Sequence, residues 1–321
     1  MDQRPLKPTS LPRSTAAPVT SYHFEMMPEG PFDLENQTAH FGGWPRLGDA
    51  IVLAFPVEGW RSSAAVVMRQ EDGGIDGDVH GAADDTVVQR AWQQALATVS
   101  LDVDGSSFAD IGRRDPVIGR LQNEFKNLRP VLFHSPYEAA CAFLIGHRIT
   151  ILQTRRIRQQ MAESAGAAIA VDGHSFRAFP DPHALLKMAE FPGVPSVKIE
   201  RLHAVARAAL DGKLDREHLR SLPEGKALQQ LRTLPGIGEF FAQAILMRGA
   251  GLVDSVTDDD LTPRAIQLLY GLKERPTHAQ VRKRAMAWRP FRMWAVVLLN
   301  VWVRSQPADV VGRRQIRTRQ K

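Results

Sequence analysis

The turn Leu234-Pro235-Gly236-Ile237-Gly238 is the first place in the chain where residue types and spacing indicate chemistry. The proline and the glycines end one helix, and a second helix is predicted to begin at about Glu239. Glycine leaves backbone N–H groups unscreened by any Cβ, next to the positive end of the following helix. Such a turn can contact a phosphate directly. A tight helix–helix connection without a ligand is the alternative that the turn alone leaves open.

Three consecutive carboxylates, Asp258, Asp259 and Asp260, follow about twenty residues later. Thr262-Pro263 is typical of an N-cap and a first helical residue, so the acids lie just ahead of a helix. The dipole and free amides of a helix N-terminus stabilise an ionised carboxylate. For an isolated acidic run, simple capping would be the better interpretation. A phosphate-binding turn followed at short range by a carboxylate favours chemistry at a sugar carbon beside a phosphate.

These residues lie in a segment of helices that begins beyond Asp115. Ser135-Pro136 with Glu138 is typical of a capping box and predicts a long helix whose apolar residues continue to Leu152. Further helices are predicted at about 181–190, 197–211, 215–221 and 225–233.

Before that segment the pattern favours strands. Residues 51–57 and 64–70 are apolar runs rich in β-branched residues and bounded by turn clusters, with one helix around 85–100. Many acidic residues lie here, so we expect a structural domain rather than a phosphate-binding one. The predicted organisation is a disordered tail over 1–20, an N-terminal α+β domain over 21–112, a helical domain over 113–305 and a basic tail over 306–321.

Composition limits the class of protein. The 321 residues suggest two domains of about 150 residues each. Lys and Arg number 41 against 35 Asp and Glu, a net charge of +6, which is a modest preference for an anionic partner. Eleven of the basic residues lie between 281 and 321, beside one acid, Asp309. A solvated surface and phosphate binding are equally open for that run.

The single Cys141 excludes an intrachain disulfide framework and a Cys-ligated zinc or iron–sulfur site. The first twenty residues have no apolar core, so we expect no secretory signal. The longest apolar stretch near the end of the chain is too short to span a bilayer. We therefore expect a cytoplasmic protein, associated with the nucleoid if the source is bacterial.

Taken together, these motifs resemble the helix–hairpin–helix (HhH-GPD) glycosylase superfamily, and within it the 3-methyladenine DNA glycosylase II group. The resemblance rests on the Leu234–Gly238 turn, on Met247-Arg248-Gly249 at the end of the next helix, and on an Asp-Leu pair before the helix after that. The segment Trp288–Ala295, with sequence WRPFRMWA, is similar to a further signature of the group. The resemblance covers residues 115–305 well and 20–112 loosely.

The resemblance implies a mainly α fold, with a helical glycosylase domain preceded by a small antiparallel α+β domain. It also implies a monofunctional DNA glycosylase of base excision repair, which flips out an alkylated base such as 3-methyladenine and hydrolyses its N-glycosidic bond. Aligned without gaps from Pro235, Asp260 falls on the group's catalytic aspartate. Asp259 is the runner-up, because Asp259 to Arg264 reproduces the spacing of endonuclease III relatives. The carboxylate would stabilise the positive sugar and position the attacking water.

Two further expectations concern the base. Bifunctional relatives carry a lysine nucleophile where this chain has Phe240, so we expect no Schiff base and no cleavage of the abasic strand. The base pocket should be aromatic, since a cationic purine stacks well on π faces. Phe240 occupies one pocket position of the group, but Ala244 and Asn300 stand where other members place aromatic residues. Trp302, Tyr137, Trp294 and Phe291 are the candidates to replace them, and a core position is the alternative for the last three.

The group also fills the space left by the flipped base with a side chain from the turn after its first long helix. The matching residues here are Gly146-His147-Arg148-Ile149, and Arg148 stands where the best-known relative has an apolar wedge. An arginine can stack on and hydrogen-bond the orphaned base. A solvent-facing helix arginine is the alternative.

We expect damaged double-stranded DNA as the partner, bound by a monomer in a salt-sensitive and sequence-independent way, and we expect neither a membrane nor a cofactor nor a metal ligand set. An alkali cation at the hairpin carbonyls, as in some relatives, stays open. The alternatives are a glycosylase for oxidised or deaminated bases and a catalytically silent DNA-binding protein. A phosphate-loop nucleotide enzyme is excluded by the lack of a preceding strand and of a P-loop lysine.

Overall fold

The structure is a computed structural model that describes residues 21–41 and 43–307. The predicted tail over 1–20, and residues 308–321 of the predicted basic tail, lie outside the described residues. The strands are β1 Tyr22–Met26, β2 Arg46–Leu47, β3 Ala50–Pro56, β4 Ser63–Glu71, β5 Gly74–His80, β6 Ala168–Val171 and β7 His174–Arg177.

Helices dominate the rest of the described chain, and the segment Leu246–Ala250 continues α11 as a π-helical turn. The α-helices are α1 Leu34–Phe41, α2 Asp85–Thr98, α3 Ala109–Arg114, α4 Pro116–Glu124, α5 Pro136–Gly146, α6 Ile151–Ala165, α7 Pro182–Leu186, α8 Ser196–Leu210, α9 Arg216–Ser221, α10 Glu224–Leu231, α11 Glu239–Ile245, α12 Leu261–Leu269, α13 His278–Ala285 and α14 Arg292–Ser305. No helix within 21–41 or 43–307 combines the length and the apolar character that crossing a membrane requires. The predicted fold class is confirmed.

The N-terminal strands form one antiparallel sheet in the order β1-β5-β4-β3-β2. β3 and β4 read as continuous apolar runs because both faces of the sheet are covered. Val66 and Met68 face α2, whereas Ala65 and Val67 pack against Ile169 of the β6–β7 hairpin. That hairpin belongs to the later part of the chain, so the sheet and the helical region share a core.

The helical region buries its apolar faces in two clusters. Helices α5 to α11 surround the first cluster, and α3, α4, α12, α13 and α14 surround the second. The chain passes from the first cluster to the second through the loop that carries Asp258, Asp259 and Asp260. The three aspartates therefore lie where the two helical clusters meet.

The chain breaks where the apolar pattern predicts an unbroken helix as far as Leu152. Helix α5 ends at Gly146, Arg148 adopts a left-handed backbone with φ of 62°, and α6 begins at Ile151 behind a Thr150 capping box. The continuous helix is wrong. The predicted capping box at Ser135 forms only in part: the Ser135 hydroxyl accepts from the Glu138 amide at 3.1 Å, but the Glu138 carboxylate binds Arg158 instead.

Candidate nucleic-acid interface

The turn between α10 and α11 exposes its backbone and is held in place by two buried apolar side chains. Leu234 and Ile237 are buried in the first helical cluster, and the Ile237 amide donates to the Leu234 carbonyl at 3.0 Å. Gly236 has φ of 85°, and Gly238 has open space where a Cβ would point. Pro235, Gly236 and Gly238 are exposed. The two apolar residues fix the turn, and the two glycines leave its outer backbone accessible to a ligand.

Helix α8 ties this turn to the one that follows α5. A Cβ on Gly236 would lie 2.7 Å from Arg201 Cδ and 3.0 Å from Leu144 Cδ2, so both side chains pack directly on the glycine. One helical turn before Arg201, Lys198 Nζ donates to the carbonyls of Ile145 and His147, at 2.7 and 2.9 Å. The two turns therefore lie side by side on one face of the protein.

A row of aromatic rings connects the start of α11 with the same face. Phe240 is 45% exposed, and its ring centroid lies 5.9 Å from that of Phe241. Phe241 stacks on Phe143 of α5 at 5.7 Å, and the His147 ring meets it edge-on at 5.8 Å. Phe240 is thus an exposed ring on a supported platform beside the hairpin.

Each of the three aspartates has a different environment. Asp258 accepts from Arg282 Nη1 at 2.5 and 2.7 Å, and its backbone amide donates to Gln243 Oε1 of α11 at 3.1 Å. Asp259 caps α12: one carboxylate oxygen accepts from the amides of Leu261 and Thr262, both at 2.8 Å.

The other oxygen of Asp259 accepts from the hydroxyls of Thr257 and Thr262 at 3.1 and 2.6 Å. Asp260 is exposed at the start of α12, and its side chain has no hydrogen bond or ion pair with any residue of 21–41 or 43–307. Of the three, Asp260 has its carboxylate available, and the Asp258–Gln243 bond holds its loop against α11.

The remaining pocket candidates lie apart from this face. Tyr137 is fully buried, and its hydroxyl donates to the Pro180 carbonyl at 2.9 Å. Trp294 and Phe291 pack on each other in the second helical cluster, at 5.0 Å between centroids. These three aromatic residues therefore take the core positions that the sequence left open as their alternative. Trp302 is partly buried against the same cluster.

The two positions at which the resemblance implies aromatic residues carry no ring here. Ala244 is buried, and Asn300 is partly buried on α14. The Asn300 side-chain oxygen has no accessible surface and no hydrogen-bond partner among the described residues. Because that oxygen is buried, a ligand cannot reach it in this structure, and neither position supplies a ring for stacking on a base.

Acids neutralise part of the basic C-terminal run. Arg282 pairs with Asp258, while Arg289 and Arg292 both pair with Asp254, at 2.8 and 2.6 Å. These arginines hold the loop between the π-helical turn and α12. The last five basic residues of the run, from Arg313 to Lys321, lie outside the part of the chain that the structure describes.

Sequence reasoning missed Lys198, Arg201 and Phe241, because each acts through residues distant in the chain. Spacing contains no signal for a lysine that binds carbonyls about fifty positions earlier. A potential metal-binding group was missed as well: donor atoms of His23, Glu25 and Asp76 lie within 4.8 Å of one another on the N-terminal sheet. The His23 ring is already hydrogen-bonded to Glu25 at 3.2 Å and to Asp78 at 3.0 Å.

Comparison with known proteins agrees with this architecture. The structure aligns with the 3-methyladenine DNA-glycosylase from Archaeoglobus fulgidus with a TM-score of 0.73 at 19% identity, over 88% of this chain and 98% of that one. The chain therefore shares the fold of that glycosylase.

Two proteins are also similar in sequence. The DNA-3-methyladenine glycosylase of Bacillus subtilis is 24% identical over 205 residues, which are 62% of this chain and 67% of that protein. The DNA-3-methyladenine glycosylase 2 of Escherichia coli is 27% identical over 194 residues, 58% of this chain and 63% of that protein. No protein-family profile matches the chain. In sequence and fold the chain is similar to 3-methyladenine DNA glycosylases.

Proposed function

We propose that this chain is a monofunctional DNA N-glycosylase that releases alkylated bases, such as 3-methyladenine, from double-stranded DNA. The observation that carries the proposal is Asp260, an exposed carboxylate without a partner among the described residues, at the start of α12 and in a loop held against α11. The bare backbone of Gly236 and Gly238 lies at the N-terminal end of α11. A phosphate beside the reacting sugar would bind there.

In the proposed reaction, the bond from the sugar C1′ to the base nitrogen breaks, and the base leaves with the electron pair. A base that carries alkylation-derived positive charge leaves as a neutral molecule, so it needs no proton from the protein. Asp260 stabilises the positive sugar and accepts a proton from the water that adds to C1′. Asp258 and Asp259 are unsuited to this step, because an arginine and the first turn of α12 occupy their oxygens.

The experiment is base release from methylated duplex DNA, comparing the wild type with Asp260→Asn. We expect the wild type to release 3-methyladenine and the variant to be slower by about a hundredfold or more, since a preorganised charge at the reacting centre has an effect of this order. The variant should still bind duplex DNA. Release by both proteins at equal rates would exclude Asp260 as the catalytic group.

The same reactions test whether the enzyme is monofunctional. Phe240 has no amine to form a Schiff base, so we expect the abasic strand to stay intact until alkali is added. A borohydride-trapped protein–DNA adduct, or a nicked strand without alkali, would contradict this part of the proposal.

A second candidate keeps the reaction and changes the base. Ala244 and Asn300 stand where the resemblance implies aromatic residues, so the chain offers fewer rings for stacking on a cationic base, which favours an oxidised or deaminated base as the alternative substrate. A panel of duplexes with oxidised and deaminated bases decides between the candidates. Duplex binding without release of any base would instead indicate a silent binding protein.

A further inference from the structure

Helix α6 begins with two apolar side chains that face solvent. Leu152 is 76% exposed and Ile151 is 62% exposed, although both lie in a well-capped helix. Leu152 has the largest exposed fraction among the exposed large hydrophobic residues of the described chain. Two adjacent apolar residues, presented at the first turn of a helix, form a compact projection that water solvates poorly.

Two arginines continue the same surface of α6. Arg155 and Arg156 lie one helical turn beyond Ile151 and Leu152, so the i to i+4 spacing places each arginine on the face of one apolar residue. Both arginines are exposed, and neither has an acidic partner among residues 21–41 and 43–307. We call these four residues the α6 surface. The two arginines can bind an anionic group, and the two apolar side chains can pack against an uncharged part of the same ligand.

The α6 surface adjoins the proposed DNA-binding face. It starts three residues after Arg148, in the turn whose carbonyls Lys198 binds and whose neighbour Leu144 packs on the hairpin glycine. A duplex placed on the hairpin would therefore extend toward the first turn of α6.

We propose that the α6 surface contacts the same DNA duplex, with Leu152 and Ile151 inserting against the base stack beside the flipped nucleotide and the arginines contacting backbone phosphates. This inference rests on the proposed function. Apolar side chains that enter a groove contact base faces and sugar C–H groups and unstack neighbouring bases, while arginines neutralise phosphates. Ile151 and Leu152 supply apolar contact next to Arg148, whose own side chain is charged.

A second copy of this chain is a poorer occupant. Two apolar side chains bury far less than the roughly 1,200 Å² at which stable interfaces begin. A symmetric contact would also place the arginines of two copies near each other, and like charges repel. Nucleic acid offers phosphates to the two arginines and base faces to Ile151 and Leu152.

The test uses the full chain and two DNA probes: a duplex with a tetrahydrofuran abasic analogue and the corresponding single strand. The duplex carries 2-aminopurine next to the analogue, so unstacking raises its fluorescence. We expect Ile151→Ala/Leu152→Ala to bind the duplex about tenfold more weakly and to lose the fluorescence rise, while single-strand binding stays unchanged. Met27→Ala is the matched control, because Met27 is 68% exposed on the N-terminal sheet region.

Arg155→Gln/Arg156→Gln separates charge from insertion. This variant should weaken binding to damaged and undamaged duplexes alike, and the slope of log affinity against log salt should fall by about 0.9 for each lost phosphate contact. The fluorescence rise should persist at saturating protein.

Two results would overturn the inference. One is duplex affinity and fluorescence of Ile151→Ala/Leu152→Ala equal to those of the wild type. The other is a dimer in light scattering that the same variant abolishes without any change in DNA binding. Failure of the proposed function looks different: the wild type would then release no base, while the binding and fluorescence differences remained.

Discussion

At the scale of single residues, the aspartate run shows how three identical side chains acquire different chemistry. Neighbours decide the outcome: Arg282 pairs with Asp258, amides and hydroxyls surround Asp259, and Asp260 faces solvent. A carboxylate that already accepts several hydrogen bonds would have to break them before it could serve a reacting sugar. In the proposed function, Asp259 therefore stabilises the fold and Asp260 serves the reaction.

Asp259→Ala tests that division of roles. The variant loses the cap of α12 and leaves the buried Thr262 hydroxyl without its 2.6 Å partner, so we expect a loss of about 1–2 kcal/mol in the free energy of unfolding. Urea denaturation measures this loss. Asp260→Ala removes no hydrogen bond within the described chain and should leave stability nearly unchanged.

The second measurement is base release by Asp259→Ala and Asp260→Ala, made under conditions in which both proteins are folded. Asp259→Ala should retain far more activity than Asp260→Ala. An inactive Asp259→Ala protein of wild-type stability would reverse the two assignments.

At the scale of elements, Lys198 of α8 holds the turn between α5 and α6. Its ammonium group binds two carbonyls at the end of α5, which have no partner within the helix. Burial and the neighbouring Arg201 lower the pKa of this lysine. Because Arg148 has a left-handed backbone directly after these carbonyls, the shape of its turn depends on a helix fifty residues away.

Lys198→Met should loosen this turn while keeping most of the apolar stem. We expect weaker binding of abasic-site duplex, by about tenfold, with the single-turnover rate of base release at saturating protein reduced much less. Lys198→Arg provides a conservative control that can still donate to both carbonyls and should recover much of the affinity. Equal losses of affinity and rate, without recovery by arginine, would contradict a role in positioning.

The elements also show how far the sequence predicts the fold. The hairpin, the helix after it and the strands β3 and β4 follow from local signals, namely glycine and proline positions, caps and apolar runs. The break after Gly146 follows only in part: Thr150 and Gln153 form a local capping box, whereas Lys198 holds the turn through a tertiary contact. The β6–β7 hairpin was missed as well, although its two-residue turn Asp172-Gly173, with φ of 46° and 79°, is a local hairpin signal between two four-residue strands.

At the scale of the whole molecule, the turn between β3 and β4 joins the sheet to the helices. Trp60 Nε1 donates to the Ala209 carbonyl of α8 at 3.0 Å, and Glu58 is buried beside Arg216 of α9. Arg216 also donates to the carbonyls of Phe133 and His134, at 3.1 and 2.8 Å. Burial raises the pKa of Glu58 to about 7, with Arg216 opposing the rise.

This carboxyl group should make the stability of the molecule depend on pH. The folded state binds the Glu58 proton more tightly than the unfolded chain does, whose glutamate pKa is about 4.5. Its contribution is therefore fully present below pH 4.5 and is lost as the pH rises through 7, by about 3 kcal/mol in total.

Denaturation curves of the wild type and Glu58→Gln across this range isolate the effect, because glutamine does not ionise. As the pH rises from 4.5 through 7, the unfolding free energy of the wild type should fall relative to that of Glu58→Gln. Glu124→Gln, at an exposed position, should follow the wild type, and parallel curves for Glu58→Gln and the wild type would rule out Glu58 as the titrating group.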